Sequence, residues 1–185
     1  MRRPAILIAI VVANVLLLAW IWLRQEAVDE IPPEVMMTSA QLSQVPDFAL
    51  LHMTFSGLRV KVEAGAVKAP NWRGLPEAAR HALVLTWVEE RFSGFHALLV
   101  RQQSGPFCFQ AGDLTEAYGA IGAAEIADIV SEAGRQAQGS GEDPKAFSDL
   151  DMRFRTKRTD GKVPARLREY IRAHGDEITT ARLSH

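Results

Sequence analysis

The sequence has little of what most enzymes and disulfide-stapled domains depend on. Its 185 residues include one cysteine, Cys108, which excludes an internal disulfide framework and a cysteine-rich zinc site. It contains no G-x-x-x-x-G-K-[ST] phosphate loop, no G-x-G-x-x-G turn after a strand and no G-x-S-x-G nucleophile elbow. None of the five histidines lies in an H-E-x-x-H or H-x-E pattern. We therefore expect no cofactor, no metal ion and no catalytic residue, and the sequence leans away from an enzyme.

Sustained alternation of apolar and polar residues is also missing, apart from a short ambiguous piece at Leu58–Val62. From Asp47 onward the apolar residues recur three and four positions apart, which is the spacing of amphipathic helices. Asp47 is suited to cap the first helix, Leu75-Pro76-Glu77 opens the next, and Asp113-Leu-Thr-Glu116 has the form of a capping box. The apolar stripe of the first helix comprises Phe48, Leu51, Phe55, Leu58 and Val62.

The same spacing continues through the C-terminal part of the chain. It predicts one helix over Ala123 to Ala137, one from Pro144 to Phe154 and one over Pro164 to His174, with a polar turn at Lys157 to Lys162. The sequence therefore predicts an all-α fold, a compact domain of about six or seven helices. The predicted core residues of the helix that begins at Pro144 are Phe147, Leu150, Met152 and Phe154.

A long uncharged run lies near the N-terminus. Pro4 to Leu23 contains no charged side chain, and as a helix of about 30 Å it matches the hydrocarbon thickness of a bilayer. Trp20 and Trp22 lie at its end, where the membrane interface favours indole rings, and the flanking Trp-Ile-Trp-Leu-Arg is a poor cleavage site. We predict a single transmembrane helix over residues 1–24, a stalk over 25–46 and a soluble all-helical domain over 47–185.

Flanking charges give this anchor an orientation. Arg2 and Arg3 precede the run, whereas Arg24 is followed by no further base until Arg59. The positive-inside rule then places the N-terminus in the cytoplasm and exports the C-terminal domain. The predicted location is the inner membrane of a bacterium, with a single pass and a periplasmic domain.

Acidic and basic residues are segregated along the chain. From Glu77 to Glu132 there are eight acidic and three basic side chains, and from Arg153 to Arg172 eight basic and two acidic ones. These are either ordinary solvated helix faces or a dipolar surface that docks a partner or anionic lipid. Nucleic acid is not expected, because exported domains rarely meet it. The candidate surface for an unidentified protein partner comprises Glu89, Glu90, His96, Arg166 and Arg168.

Two stretches carry a family resemblance, Trp87-Val88-Glu89-Glu90-Arg91-Phe92-Ser93-Gly94-Phe95-His96 and Ala117-Tyr-Gly-Ala-Ile121-Gly122-Ala123. They resemble a bacterial family of small all-helical domains, in which one helix ends in Glu-Val-x-Asn-Gly-Gly-Phe and another closes on Ile-Gly-Ala. Phe92-Ser93-Gly94-Phe95 replaces Asn-Gly-Gly-Phe here, and the turn near Ser104 lacks the family's asparagine. The resemblance covers roughly residues 75–174.

The best-known member of that family is a DNA-mimic protein, whose acidic surface binds a transcription factor in place of DNA. The resemblance implies the all-helical fold and a general binding character, with no catalytic residue to carry over. Residues 26–185 hold 22 acidic and 18 basic side chains, and the basic C-terminal stretch works against DNA mimicry. Gly94 permits a tight turn between helices, with Phe92 and Phe95 anchoring it in the core. The structural residues of the family motif are Phe92, Gly94, Phe95, Ile121 and Gly122.

Three functions stay open at this point. The leading hypothesis is a membrane-anchored protein-interaction module with an exported domain. The second is a cytoplasm-facing regulatory domain of the DNA-mimic type. The third is a hydrolase-like enzyme that uses a cleft at the Ser93–His96 turn.

Overall fold

Helices form every regular element of the described chain. The structure, a computed structural model, describes residues 38–65, 71–101, 107–140 and 143–181, all within one compact unit that spans Met36–His185. No strand occurs in these ranges, and the all-α prediction is confirmed. The elements in chain order are α1 (Ser39–Gln44), α2 (Asp47–Gly65), a 3-10 turn (Asn71–Gly74), α3 (Glu77–Arg91), a π-helical turn (Ala97–Arg101), α4 (Ala111–Ala120), α5 (Ala124–Ser140), a second 3-10 turn (Pro144–Phe147), α6 (Ser148–Asp160), α7 (Val163–Ala173) and α8 (Gly175–Thr180).

The central helix is α3. Ten of its residues are buried, and they lie on all sides of its axis. A helix that is apolar all round belongs in the middle of a domain, and α3 contacts α2, α4, α7 and α8. Its one buried hydroxyl, that of Thr86, donates to the carbonyl oxygen of Ala82 at 2.6 Å, so it needs no partner from another helix. This central position brings the polar residues at both ends of α3 against neighbouring helices.

The first helix belongs to the domain rather than to a stalk. Thr38 caps α1, because its hydroxyl oxygen accepts from the Gln41 N–H at 3.2 Å while the Gln41 side chain accepts from the Thr38 N–H at 2.8 Å. Leu42 is buried, and α1 packs against α8, which the sequence did not predict. The residues from Thr38 onward, which were predicted as part of the stalk over 25–46, therefore belong to the folded domain.

Two predicted core residues are exposed. Phe48 is 89% exposed, although it shares a helix face with the buried Phe55 two turns later. Spacing assigns a face but not the length over which neighbouring helices cover it, so the first turn of α2 was wrongly placed in the core. Met152 is also exposed, because it lies two positions from both Leu150 and Phe154 and so points to the opposite side of α6.

Two helix boundaries also differ from the prediction. α4 begins at Ala111, and Asp113 lies in its first turn, where its carboxylate accepts from the backbone N–H of Gln110 at 2.7 Å. Asp113 therefore supports the cap from inside the helix instead of being the cap. α6 continues to Asp160, so Lys157 and Arg158 are helical and the turn is confined to Gly161 and Lys162.

The predictions that concern a membrane are corrected. Among the residues that the structure describes, no helix combines the length and the apolar character that a bilayer crossing needs. The predicted anchor, residues 1–24, and the stalk up to residue 37 lie outside the described ranges. The transmembrane helix, the single-pass inner-membrane location, the periplasmic domain and the membrane as a partner are therefore not supported, and none of them enters the proposals below.

Candidate functional site

The acidic and basic stretches of the sequence lie against each other in the fold. Lys157 of α6 binds Glu125 of α5 at 2.8 Å, and Arg153 of α6 binds Glu132 of α5 at 3.0 Å. The Lys157 ammonium lowers the pKa of the Glu125 carboxyl, chiefly through their hydrogen bond, and the pKa of Lys157 rises in return. The charge segregation seen along the chain is therefore partly neutralised between neighbouring helices.

Glu89, a member of the predicted partner surface, is an interior residue. Its side chain is 6% exposed, and it binds the guanidinium of Arg158, which is 28% exposed, with a shortest distance of 2.6 Å. Burial raises the pKa of the Tyr118 hydroxyl well above its usual range, and the charge of Glu89 adds to the rise. Glu89 cannot serve as an open docking carboxylate, which corrects that part of the prediction.

Glu90 and His96 contact different residues. The Glu90 carboxylate is 3.0 Å from Nδ1 of His52, whose side chain is mostly exposed. The His96 ring is half-buried, with its centroid 5.9 Å from that of Phe147. Ser93 is exposed, and within the described ranges no hydrogen bond joins it to His96. The structure therefore does not assemble the catalytic pair that an enzyme at this turn would need.

The basic residues of the predicted partner surface form contacts between elements of the domain. The Arg166 guanidinium donates to the carbonyl oxygen of Gly122, in the turn after α4. Arg168 lies 3.5 Å from the carboxylate of Asp47, which also binds Arg172 at 2.6 Å. These contacts join α7 to the turn after α4 and to the start of α2. Arg166 and Arg168 therefore bind groups of the domain itself, although Arg166 is exposed.

Gly94 marks a close approach between two segments. Its φ is +142°, and a Cβ there would lie 2.8 Å from the Asp151 carboxylate. The same carboxylate accepts from the backbone N–H of Phe95 at 2.8 Å, so it caps the helical segment that follows. The ring of Phe92 packs on those of Phe95 and Phe154, with centroids 5.2 Å and 4.5 Å away. This turn therefore requires a residue without a side chain at position 94.

Helix α4 ends in a turn in which one residue has a left-handed backbone conformation. Ile121 is buried, and Gly122 has a φ of +70°. The backbone N–H of Ala123 donates to the carbonyl oxygen of Tyr118 at 2.9 Å, which satisfies a carbonyl at the helix end. The left-handed residue reverses the chain into α5, and its carbonyl is the one that Arg166 holds.

A buried histidine that was not among the predicted site residues joins several polar side chains. His81 of α3 is 4% exposed, its Nδ1 is 3.1 Å from the Tyr170 hydroxyl, and its Nε2 is 3.3 Å from the Glu116 carboxylate. Glu77 lies one turn before His81, and a ligand atom from each of Glu77, His81 and Glu116 lies within 4.8 Å of the others. Three helices, α3, α4 and α7, therefore meet at one buried histidine.

The group continues onto α8. The ring of Tyr170 packs on that of His174 at 4.4 Å, and Nδ1 of His174 is 3.2 Å from the Glu177 carboxylate. Burial raises the pKa of Tyr170 to about 12, and the nearby acidic groups reinforce the shift. We call this set the Tyr170 cluster; its members are Glu77, His81, Glu116, Tyr170, His174 and Glu177.

Part of the Tyr170 cluster does have a sequence signal. Glu77 and His81, like Tyr170 and His174, are four positions apart, the spacing that places two side chains on one helix face. Such pairs are common on ordinary helices, so the spacing alone does not distinguish a site. The convergence of the two pairs depends on contacts 35 and 89 residues apart, which no local pattern reports.

Together these features define a small all-helical domain with internally paired charges and an acidic cluster around one tyrosine. The family model described as DMP19-like protein matches residues 73–174, more than half of the chain, so the chain belongs to the DMP19-like family. This match confirms the family resemblance drawn from the sequence. Comparison with curated proteins gives no significant match, and neither does comparison with solved structures.

Proposed function

We propose that this domain is a protein-interaction module that binds a basic surface of its partner through the Tyr170 cluster. The observation that carries the proposal is a set of exposed acidic side chains that no arginine or lysine binds closely. Glu116 and Glu177 are 59% and 56% exposed, and Glu77 is exposed without an ion pair in the described chain. Glu89 and Glu125, in contrast, are bound by Arg158 and Lys157.

The centre of the cluster suits a binding surface. Tyr170 is half-buried, held by His81 through its hydroxyl and by His174 through its ring, so little conformational entropy is lost when a partner covers it. Tyrosine is among the residues enriched at interfaces, and surrounding charges favour partners of opposite sign. The nearest cation, a nitrogen of Arg80 3.9 Å from Glu116, leaves most of that negative charge available.

A DNA-mimic role is the second candidate, and membership of the DMP19-like family favours it. A protein that replaces DNA must present carboxylates over a broad surface, in the manner of phosphates. In this chain Glu89 of α3 and the α5 residues Glu125 and Glu132 are matched by bases of α6. The acidic surface is consequently local, which supports binding of a restricted basic epitope more than imitation of a duplex.

The two surfaces can be separated by charge reversal. The partner is captured from extracts of the cells that make the protein, with wild type, a Glu77→Lys/Glu177→Lys double variant and Glu90→Lys. We expect the double variant to lose the partner and Glu90→Lys to keep it, with circular dichroism showing that all three are folded. If Glu90→Lys loses the partner and the double variant keeps it, binding takes place at the face predicted around Glu90 and His96.

Competition by duplex DNA separates the two functions. A DNA-mimic module shares its binding site with DNA, so added duplex should displace the chain from its partner. For an interaction confined to the Tyr170 cluster we expect weakening by salt, because exposed charges are screened, but no specific displacement by DNA. Displacement at equal ionic strength would favour the DNA-mimic role.

A further inference from the structure

We propose that Glu77, His81 and Glu116 form a binding site for a divalent first-row transition metal ion, with zinc as the representative ion. The inference goes beyond protein binding, because a metal ion would bind to the isolated chain without any partner protein. The three residues come from two helices, α3 and α4, and are the only group of at least three such side chains with converging ligand atoms in the described chain.

The spacing of the ligand atoms suits a shared metal ion. Two ligands bound to zinc at about 2.0–2.1 Å, with tetrahedral angles, lie about 3.4 Å apart. Nε2 of His81 and the nearer carboxylate oxygen of Glu116 are 3.3 Å apart. Glu77 lies within 4.8 Å of both, and its exposed side chain can close the remaining distance by rotation.

The buried histidine is already oriented for this role. A metal at Nε2 requires the proton of the neutral ring on Nδ1, and Nδ1 lies 3.1 Å from the hydroxyl oxygen of Tyr170, which can accept it. Tyr170 would then hold the imidazole plane, in the way that outer hydrogen bonds orient metal-binding histidines. With the proton on Nδ1, the lone pair of Nε2 is on the side of the ring where the Glu116 carboxylate lies 3.3 Å away.

The ligand set also selects the class of ion. One imidazole and two carboxylates bind zinc and its neighbours in the first transition row, whereas magnesium and calcium prefer oxygen ligands alone. The positive charge of Arg80, 3.9 Å from Glu116, opposes a cation, and the ion must outcompete it. His52 and Glu90 are also 3.0 Å apart, but they do not form such a metal site because they lack a third ligand in the described residues.

The test is isothermal titration of the full-length chain with zinc chloride. We expect one ion bound per chain, with affinity reduced about tenfold or more in Glu77→Gln and in Glu116→Gln, as is usual when a ligand or its support is lost. Glu90→Gln is the matched control, since it alters a histidine–carboxylate pair of similar distance, and its affinity should equal that of wild type. Magnesium should bind at least about tenfold more weakly than zinc.

Three results would overturn the assignment. The first is the absence of zinc binding by the wild type, and the second is zinc affinity in both glutamine variants equal to that of the wild type. The third is magnesium binding as tight as zinc binding, which would show that the His81 imidazole is not a ligand. Glu77 and Glu116 are both exposed, so both glutamine variants should fold, and circular dichroism checks this. Because the titration needs no partner, failure of zinc binding and failure of the protein-interaction proposal are separate outcomes.

Discussion

The guanidinium of Arg158 binds both carboxylate oxygens of Glu89, with Nη2 donating to one at 2.6 Å and Nε to the other at 2.8 Å. The pair joins α6 to the central helix α3 across 69 residues of sequence. Glu89 is nearly buried, and the buried hydroxyl of Tyr118 lies within its electrostatic influence. This geometry is bidentate, and bidentate arginine–carboxylate pairs are the strong ones.

Removal of Arg158 should destabilise the domain severely. Arg158→Met leaves the Glu89 carboxylate unpaired in a site with little water, and we expect a loss of about 3 kcal/mol in the free energy of unfolding. This is the lower end for broken buried pairs, because Arg158 itself is partly exposed. Urea unfolding followed by circular dichroism gives the value. The control is Arg153→Met, whose pair with Glu132 is nearly half exposed and should cost less than about 1 kcal/mol. Equal losses in the two variants would contradict the buried role of Glu89.

This pair also shows what the sequence could not predict. Charge counts correctly separated an acidic stretch from a basic one, but they treated both as outward faces. Which carboxylate meets which base depends on how α3, α5 and α6 pack. The same limit applies to His81, whose partners Glu116 and Tyr170 come from two other helices. Long-range convergence of this kind cannot be read from spacing along one helix.

Local features were predicted well, because their causes are local. Asp47, predicted as the cap, is the first residue of α2, and Pro76, predicted to open the next helix, directly precedes α3, so each start lies within one position of its prediction. Capping side chains, proline and glycine act on the backbone next to them, whatever the tertiary context. The short helices α1 and α8 are different, since six residues carry too little pattern and are held by packing and by contacts such as those of Lys61 with the end of α8.

A second prediction concerns Gly94. Gly94→Ala places a Cβ against the Asp151 carboxylate and forces an L-residue to a φ of +142°. We expect a loss of about 2 kcal/mol or more in unfolding free energy, from backbone strain together with displacement of the cap on Phe95. Gly57→Ala is the matched control. It lies within α2 with no atom within 4 Å of the new methyl group, and should stabilise by about 0.5–1 kcal/mol. If Gly94→Ala leaves the unfolding free energy unchanged, the turn has room for a Cβ at position 94, contrary to the structure.

A third prediction tests the crossing of α4 and α5. A Cβ on Gly134 would collide with the Cβ of Ala111, so these helices approach closely only because position 134 has no side chain. Gly134→Ala should destabilise by about 1–3 kcal/mol through overpacking. Gly119→Ala, also in α4 but with open space around it, should be neutral or slightly stabilising. Thermal unfolding of both variants decides the matter, and a Gly134→Ala protein as stable as wild type would rule out this close contact.

The last prediction uses pH to isolate the contacts of Asp47. The hydrogen bond from Arg172 holds the pKa of Asp47 below its usual 3.8, and Arg168 contributes through its charge. Because the folded-state pKa is depressed, the stabilisation is complete above the unfolded pKa and is lost as the pH falls through the folded value. Asp47→Asn keeps the shape and one side-chain oxygen but removes the charge, so it should be less stable than wild type at pH 7.

That difference should shrink as the pH is lowered past 3.8, since the wild-type carboxyl then becomes neutral as well. The measurement is the urea midpoint of both proteins at several pH values, compared as a difference so that other titrating groups cancel. Glu63→Gln serves as the control, because Glu63 pairs only with Arg59 on the exposed side of α2. A gap between Asp47→Asn and wild type that stays constant down to the lowest pH would mean that the loss arises from packing and not from the charge shared with Arg172.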